Sequence, residues 1–250
     1  MIPKIIHYAW FGNPMPNDVK ERIEEWKKNL PGWKFIFWNE NNFDFTNFSF
    51  TKKKVENHEW GYAADELRFD VLNKFGGFYL DTDMIIKRDL APFLNKKLVM
   101  GFMYDNSILT SLIGSEPNNE IIQKILDLYA DSNYDNLKMN LTNNPIVTYF
   151  LLKNFDNFRL NGKTQNIAPK CMVYSRDYFC YPSKNKNANY AEHLFTNSWN
   201  HGRGYSGIKG EVKKVIRNVA PITYGNIANK RGVRYTNELV LKYKNMGYFK

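Results

Sequence analysis

The segment from Gly61 to Asp83 constrains the fold of this chain more than any other. Ala64, Leu67, Val71, Leu72 and Phe75 recur at helical spacing and predict a helix with one apolar stripe, stopped by Gly76-Gly77. Phe78–Leu80 is a short strand that runs straight into Asp81-Thr82-Asp83, after which Met84–Ile86 resumes the apolar pattern. A buried strand ending in two carboxylates places dense negative charge at a strand terminus, and in α/β sheets the crevice beyond the strand ends is where ligands bind. The two carboxylates repel each other and are costly to desolvate, a cost that a divalent cation relieves. Mg²⁺ and Mn²⁺ prefer such oxygens, with substrate phosphates completing the shell. Asp65 and Arg68, at i and i+3, share a helix face and offer an acceptor beside a forked donor, suited to sugar hydroxyls or a phosphate. Taken singly, an Asp-x-Asp is common in surface loops and an Asp–Arg pair is an ordinary surface ion pair.

The rest of the chain alternates strand and helix signals. Ile2–Trp10 reads as a strand, Asp18–Leu30 as a helix with Val19, Ile23, Trp26 and Leu30 on one side, and Trp33–Trp38 as a second strand. This opening suggests a parallel crossover unit. Residues 39–57 read as loop. Leu98–Met103 and Leu109–Gly114 read as strands, Ile121–Tyr129 and Ile146–Leu152 as helices, and residues 154–200 as loop with short strands. His7, His58, Trp26, Trp33 and Trp38 read as structural. An EF-hand is excluded, because Ile86 and Pro92 stand where the loop needs Gly and Glu. Neither a GxGxxG after a strand nor a GxxxxGK[ST] is present.

The 250 residues carry a formal charge of +10, with 43% apolar residues, enough for one sizeable core. The charge is not evenly spread. Residues 201–250 hold eleven Lys/Arg against two Asp/Glu, a net of +9, which leaves +1 for residues 1–200. That localisation argues for a local anionic partner and against a nucleic-acid-binding fold. No stretch approaches the roughly 20 apolar residues that span a bilayer. Two cysteines, Cys171 and Cys180, make no disulfide framework and fit a reducing compartment. The expectation is a cytoplasmic protein.

Ala-Asp-x-x-Arg from Ala64 to Arg68, followed by Gly76-Gly77-Phe78-Tyr79-Leu80-Asp81-Thr82-Asp83, closely resembles the signature of glycosyltransferase family 32. That family includes yeast initiating α-mannosyltransferases and α-1,4-galactosyltransferases, and shares its core with the large clostridial toxin glucosyltransferases. Ile2–Gly12 and Trp33–Asn39 are similar to the family's opening strands. Asn144-Pro145-Ile146-Val147-Thr148 resembles its Gly-Pro segment, with Asn in place of Gly, and His193–Trp199 resembles its His-x4-Ser-Trp motif.

The resemblance implies an α/β fold of GT-A type, a mixed, mainly parallel sheet flanked by helices, over residues 1–205. Residues 206–250 form a basic helical segment, docked on that domain or on a membrane. It implies a metal-dependent, retaining transferase that moves a hexose from a nucleotide sugar, a UDP-sugar first, to a saccharide or lipid-linked saccharide, as in capsule or exopolysaccharide assembly. GDP-mannose is the alternative donor; a metal-dependent phosphohydrolase and a nucleic-acid-binding protein are the alternative functions. By resemblance Asp65, Arg68, Asp81 and Asp83 are the catalytic set. Asp83, Asp81 and His193 hold Mn²⁺ or Mg²⁺. Trp10 receives the nucleotide base, Tyr8 is a further substrate-binding residue, Asp65, Arg68 and Asp81 receive the sugar, and Ser198 and Trp199 the diphosphate, with His201 near the leaving group.

The C-terminal segment has its own signal. Val212, Val215, Ile216 and Val219 fall at i, i+3, i+4 and i+7, with Lys213, Lys214 and Arg217 off that stripe, and Asn237–Met246 reads as another helix. Such a basic amphipathic segment either packs its stripe on the domain or places the protein peripherally on the anionic inner face of the cell membrane.

Overall fold

The computed structural model describes residues 1–135, 138, 141–196, 212, 215–245 and 247. Seven strands form one sheet in the order β2 (Lys34–Trp38), β1 (Ile5–Ala9), β3 (Gly77–Leu80), β6 (Ser107–Ser115), β5 (Leu98–Tyr104), β8 (Cys171–Tyr174), β7 (Gln165–Ala168). β6 and β7 run against the other five, so the sheet is mixed and mainly parallel. A second, two-stranded sheet pairs β4 (Met84–Ile86) antiparallel to β9 (Ala191–His193).

Strand alternation divides the core in two. Leu98, Met100, Phe102 and Tyr79 face a cluster built with α3 (Trp60–Phe75), α4 (Glu120–Ala130) and α5 (Asn143–Asn154). Val99, Phe78 and Leu80 face the opposite cluster, built with α1 (Asn17–Asn29), the β4–β9 pair and the short α6 (Arg176–Phe179). β3 lies against β1 so closely that a Cβ on Gly77 would stand 2.5 Å from the Ile5 carbonyl oxygen, and φ there is 102°. Glycine at the end of α3 therefore allows the next strand to enter the sheet.

Three expectations need correction. Residues 39–57 are not all loop, because Ser49–Glu56 is a helix, α2. Its inward positions are Phe50, Thr51 and Lys54, and the buried Lys54 is paired with Glu59 at 2.6 Å and lies 4.5 Å over the Tyr62 ring. A lysine on the inner face hides the apolar period. α3 does not have one apolar stripe: it is buried on nearly every side, including Asp65, Glu66, Arg68 and Asp70, whereas Phe75 is 46% exposed. It is packed between the sheet, α2 and α4, so polar side chains are enclosed with apolar ones.

The last helix, α7, runs from Pro221 to Asn245, far longer than the expected Asn237–Met246. Its glycines obscured the first half. A Cβ on Gly232 would lie 2.3 Å from the Tyr104 ring, so this glycine marks a close approach to β5 and not a loop. Asn229 accepts from the Asp105 amide and donates to its carboxylate, and Asn106 donates to Val233 O and Asn237 Oδ1, fixing α7 across the β5–β6 turn.

Candidate active site

The chain leaves β3 at Asp81, whose amide donates to Ser111 O at 2.9 Å, and turns at once, Met84 N donating to Asp81 O. One edge of the following strand β4 is paired with β9. The other edge is held by side chains of α1. Arg22 donates to Thr82 O at 2.7 Å, Trp26 to Met84 O at 2.8 Å and Asn29 to Ile86 O at 2.8 Å. These donors, at i, i+4 and i+7 on one helix face, meet the carbonyls of alternate strand residues. The three carbonyls on this side of the strand thus have partners, and Arg22 fixes the residue between the two aspartates.

β6 supplies the opposite wall through an irregularity. Between the Val99–Gly114 and Gly101–Leu109 pairs, β6 has four residues where β5 has one. Thr110 and Ser111 lie in this bulge, turned toward the site. Thr110 O accepts from Arg68 at 2.7 Å, Thr110 N donates to Asn144 Oδ1, and Ser111 Oγ lies 3.3 Å from His193 Nε2. Bulges of this kind re-aim side chains beside active sites.

Arg68 sits at the centre. It reaches Asp65 at 3.3 Å and Asp81 at 3.5 Å, donates to Ala64 O, and lies 4.8 Å over the Tyr79 ring. Burial pushes the Asp65 carboxyl up, to about 7, against the opposing pull of Arg68 and an Asn143 hydrogen bond. Burial alone would lower the Arg68 guanidinium; the charges of Asp81, Tyr79 and Asp65 overcome it and raise it. Asp83 behaves differently. Burial would raise it, but His193 at 3.0 Å and two bonds from Thr196, at 3.0 and 3.2 Å, outweigh burial and hold it at about 2.

Ligand atoms of Asp81, Asp83 and His193 all lie within 4.8 Å of one another. Two carboxylate oxygens and an imidazole nitrogen form a donor set that fits Mn²⁺ or Mg²⁺. His193 Nδ1 is buried with no hydrogen-bond partner among the described residues. An imidazole with one nitrogen on a carboxylate and the other unpaired leaves room in its polar requirements for a further group.

These residues line a cavity of about 410 Å³, together with Trp10, Trp60, Tyr62, Met103, Tyr104 and Asn143. Of the residues singled out from the sequence, Trp10, Asp65, Arg68, Asp81, Asp83 and His193 converge here. Tyr8 does not. Its ring stacks on Phe37 at 5.3 Å and meets Trp26 edge-on, which places it with the core on the α1 side. Ser198, Trp199 and His201 lie outside the described residues. Sequence reasoning missed Thr110, Ser111, Thr196, Arg22 and Trp60. Two adjacent polar residues inside an apolar strand were the available sign of Thr110-Ser111. Thr196 lies inside the His193–Trp199 motif, and Arg22 gave no sign beyond its place on a helix.

Residues 16–100, which span α1, the helix with Asp65 and Arg68, and the Asp81-Thr82-Asp83 turn, match the glycosyltransferase sugar-binding region containing a DXD motif. An uncharacterized glycosyltransferase of Acanthamoeba polyphaga mimivirus is 29% identical over 140 residues, 50% of this chain and 54% of the viral protein. Inositol phosphoceramide mannosyltransferase 1 of Schizosaccharomyces pombe is 28% identical over 102 residues, 38% of this chain and 32% of the yeast protein. The chain therefore spans about half or less of the length of these relatives. The PaToxG glycosyltransferase shares the fold, with a TM-score of 0.52 at 19% identity over 61% of this chain and 69% of that structure. The sheet described above thus has the fold of the GT-A glycosyltransferases.

Proposed function

We propose that this chain is a metal-dependent, retaining glycosyltransferase that moves a hexose from a nucleotide sugar, a UDP-sugar first, to a saccharide or lipid-linked saccharide acceptor, as capsule and exopolysaccharide assembly require. The observation that carries this reading is the single cavity wall that joins Asp65, Arg68, Asp81, Asp83 and His193 to the indole of Trp10.

Asp81, Asp83 and His193 would hold Mn²⁺ or Mg²⁺, which when bound neutralises charge on the departing nucleoside diphosphate. Thr196 keeps Asp83 ionised and oriented for that task. Arg68 and Asp65 offer a fixed donor and acceptor to sugar hydroxyls, and Trp10 a flat face to the base. Ser198 and Trp199 remain assigned to the diphosphate by motif alone. Trp60, Tyr62, Met103 and Tyr104 give the cavity apolar and aromatic walls against which a sugar face packs.

The carboxylates in the described lining are Asp65, Asp81 and Asp83. The first is held by Arg68, and the other two converge with His193. None stands apart as a nucleophile, which favours attack on the face from which the phosphate leaves, that phosphate taking the acceptor proton. The mannosyltransferase name of the fungal relative supports a second reading, GDP-mannose as donor.

A screen of nucleotide sugars for Mn²⁺-dependent release of UDP or GDP tests the proposal. One donor class is expected to turn over, and chelator to abolish it. Turnover undiminished by chelator refutes the metal assignment; no release from any donor refutes the transferase. A thermal-shift comparison of UDP with GDP in Mn²⁺ distinguishes the two donors.

A further inference from the structure

The segment that precedes α7 is inside out. Val212, Val215, Ile216 and Val219 share one stripe, and they are 41–80% exposed. Residues 215–219 are helical. Arg217 lies about 150° around the helix from that stripe. It is buried, donates to Leu194 O at 3.1 Å and pairs with Glu192 at 3.7 Å. A surface helix ordinarily turns its apolar stripe to the core and its charges to water. Here a charged root is anchored in the body, and the anchor turns four branched apolar side chains outward.

α7 continues the pattern. Its Asn229, Gly232 and Asn237 face is fixed on the β5–β6 turn, and Ile227, Tyr235 and Leu241 are exposed together with Lys230, Arg231 and Arg234. Among the described residues no helix is long and apolar enough to cross a membrane.

We propose that Val212 and residues 215–241, through the exposed side chains named above, form a docking surface for an anionic lipid bilayer. Apolar side chains that enter the boundary between headgroup and acyl chain, set among basic ones that meet the headgroups, are what an interfacial helix needs. Charge selects this occupant over the others. A second copy of the chain would bring the same +9 from residues 201–250 against this face, and like charges oppose that pairing. Nucleic acid would meet the basic residues and leave the valines bare. The surface rests on exposure and charge alone, not on the transferase reading.

Co-sedimentation of the full chain with vesicles tests this. Vesicles of phosphatidylcholine mixed with phosphatidylglycerol are expected to carry the protein down, vesicles of phosphatidylcholine alone are not, and added salt should weaken the binding. The exposed pair Val215→Ser and Val219→Ser is expected to weaken it about tenfold or more, with the thermal melt unchanged. Equal sedimentation with both vesicle types, or none with either, overturns the proposal. So does vesicle binding unaltered by the paired substitution, or a dimer in sedimentation velocity that the pair abolishes. Lys230→Ser with Arg231→Ser supplies the second arm: retained binding to anionic vesicles in that variant removes the electrostatic part.

Discussion

Asp65 and Asp83 are both enclosed acids in one cavity, and they are held in opposite ways. Asp65 and Asp81 share a single guanidinium, and burial pushes Asp65 to about 7. Asp83 has His193 and two donors from Thr196, and it stays at about 2 despite burial. Burial is common to the two; the number of donors that each carboxylate has to itself is not. The α3 side is thus one cation short for its two acids, whereas the β4–β9 side is provisioned to keep a carboxylate ionised beside an imidazole.

Four substitutions sharpen or break that contrast. The largest effect is expected from Asp83→Ala, which removes the acid kept ionised: Mn²⁺-dependent release of nucleoside diphosphate should fall at least about a hundredfold. Full activity in this variant would break the assignment. Arg68→Met leaves the buried Asp65 and the partly exposed Asp81 without their cation, and urea unfolding should show a loss of about 3–5 kcal/mol.

Asp65→Asn should act in the other direction on stability. The folded pKa of Asp65 is raised above its unfolded value near 4, so between about pH 4 and 7 the native state holds a proton that the unfolded state has released. Stability falls as pH rises through that window, by up to ~4 kcal/mol. Asparagine removes the slope and leaves Arg68 paired with Asp81 alone. Melts at pH 5 and pH 8 with chelator present should show parent and variant converging at the lower pH and the variant more stable at the higher. Equal melts at both would mean that Asp65 is ionised throughout.

The smallest effect is Thr196→Val, which takes the hydroxyl donor from Asp83 and leaves the backbone amide of residue 196 on it. A severalfold rise in the Mn²⁺ concentration for half-maximal turnover is expected, with stability lowered by about 1–2 kcal/mol.

The sequence made the sheet's spine and the acid cluster legible for a physical reason. Gly76-Gly77, the apolar Phe78–Leu80 and the paired aspartates are contiguous, so local chemistry alone places them at a strand end. Asp65 and Arg68 followed from helix geometry. What was not legible depends on the fold closing. Lys54 looked solvated because its partner Glu59 and the Tyr62 ring join it only when α2 meets α3. Thr110 and Ser111 became site residues through a slip in strand pairing that no periodicity records. Tyr8 points to the opposite sheet face from Ala9 and packs with Trp26 away from the cavity, whereas Trp10, just past the end of β1, also lines the cavity.

The three side chains of α1 that grip β4 also limit how the length of this chain can change. From Arg22 to Asn29 the helix advances about 10 Å, while the strand it grips, from Thr82 to Ile86, advances about 13 Å. The two rulers nearly agree, and the long arm of Arg22 takes up the remainder. Deleting one residue between Arg22 and Trp26 would turn Arg22 about 100° away from the strand while Trp26 and Asn29 keep their carbonyls. The Asp-x-Asp turn would then lose its only side-chain tether to α1 without losing its strand. Insertions and deletions are accordingly expected in the connection between β2 and α2, and to be purged from the middle of α1, a bias that deletion scanning of residues 20–30 would expose as a cliff in activity.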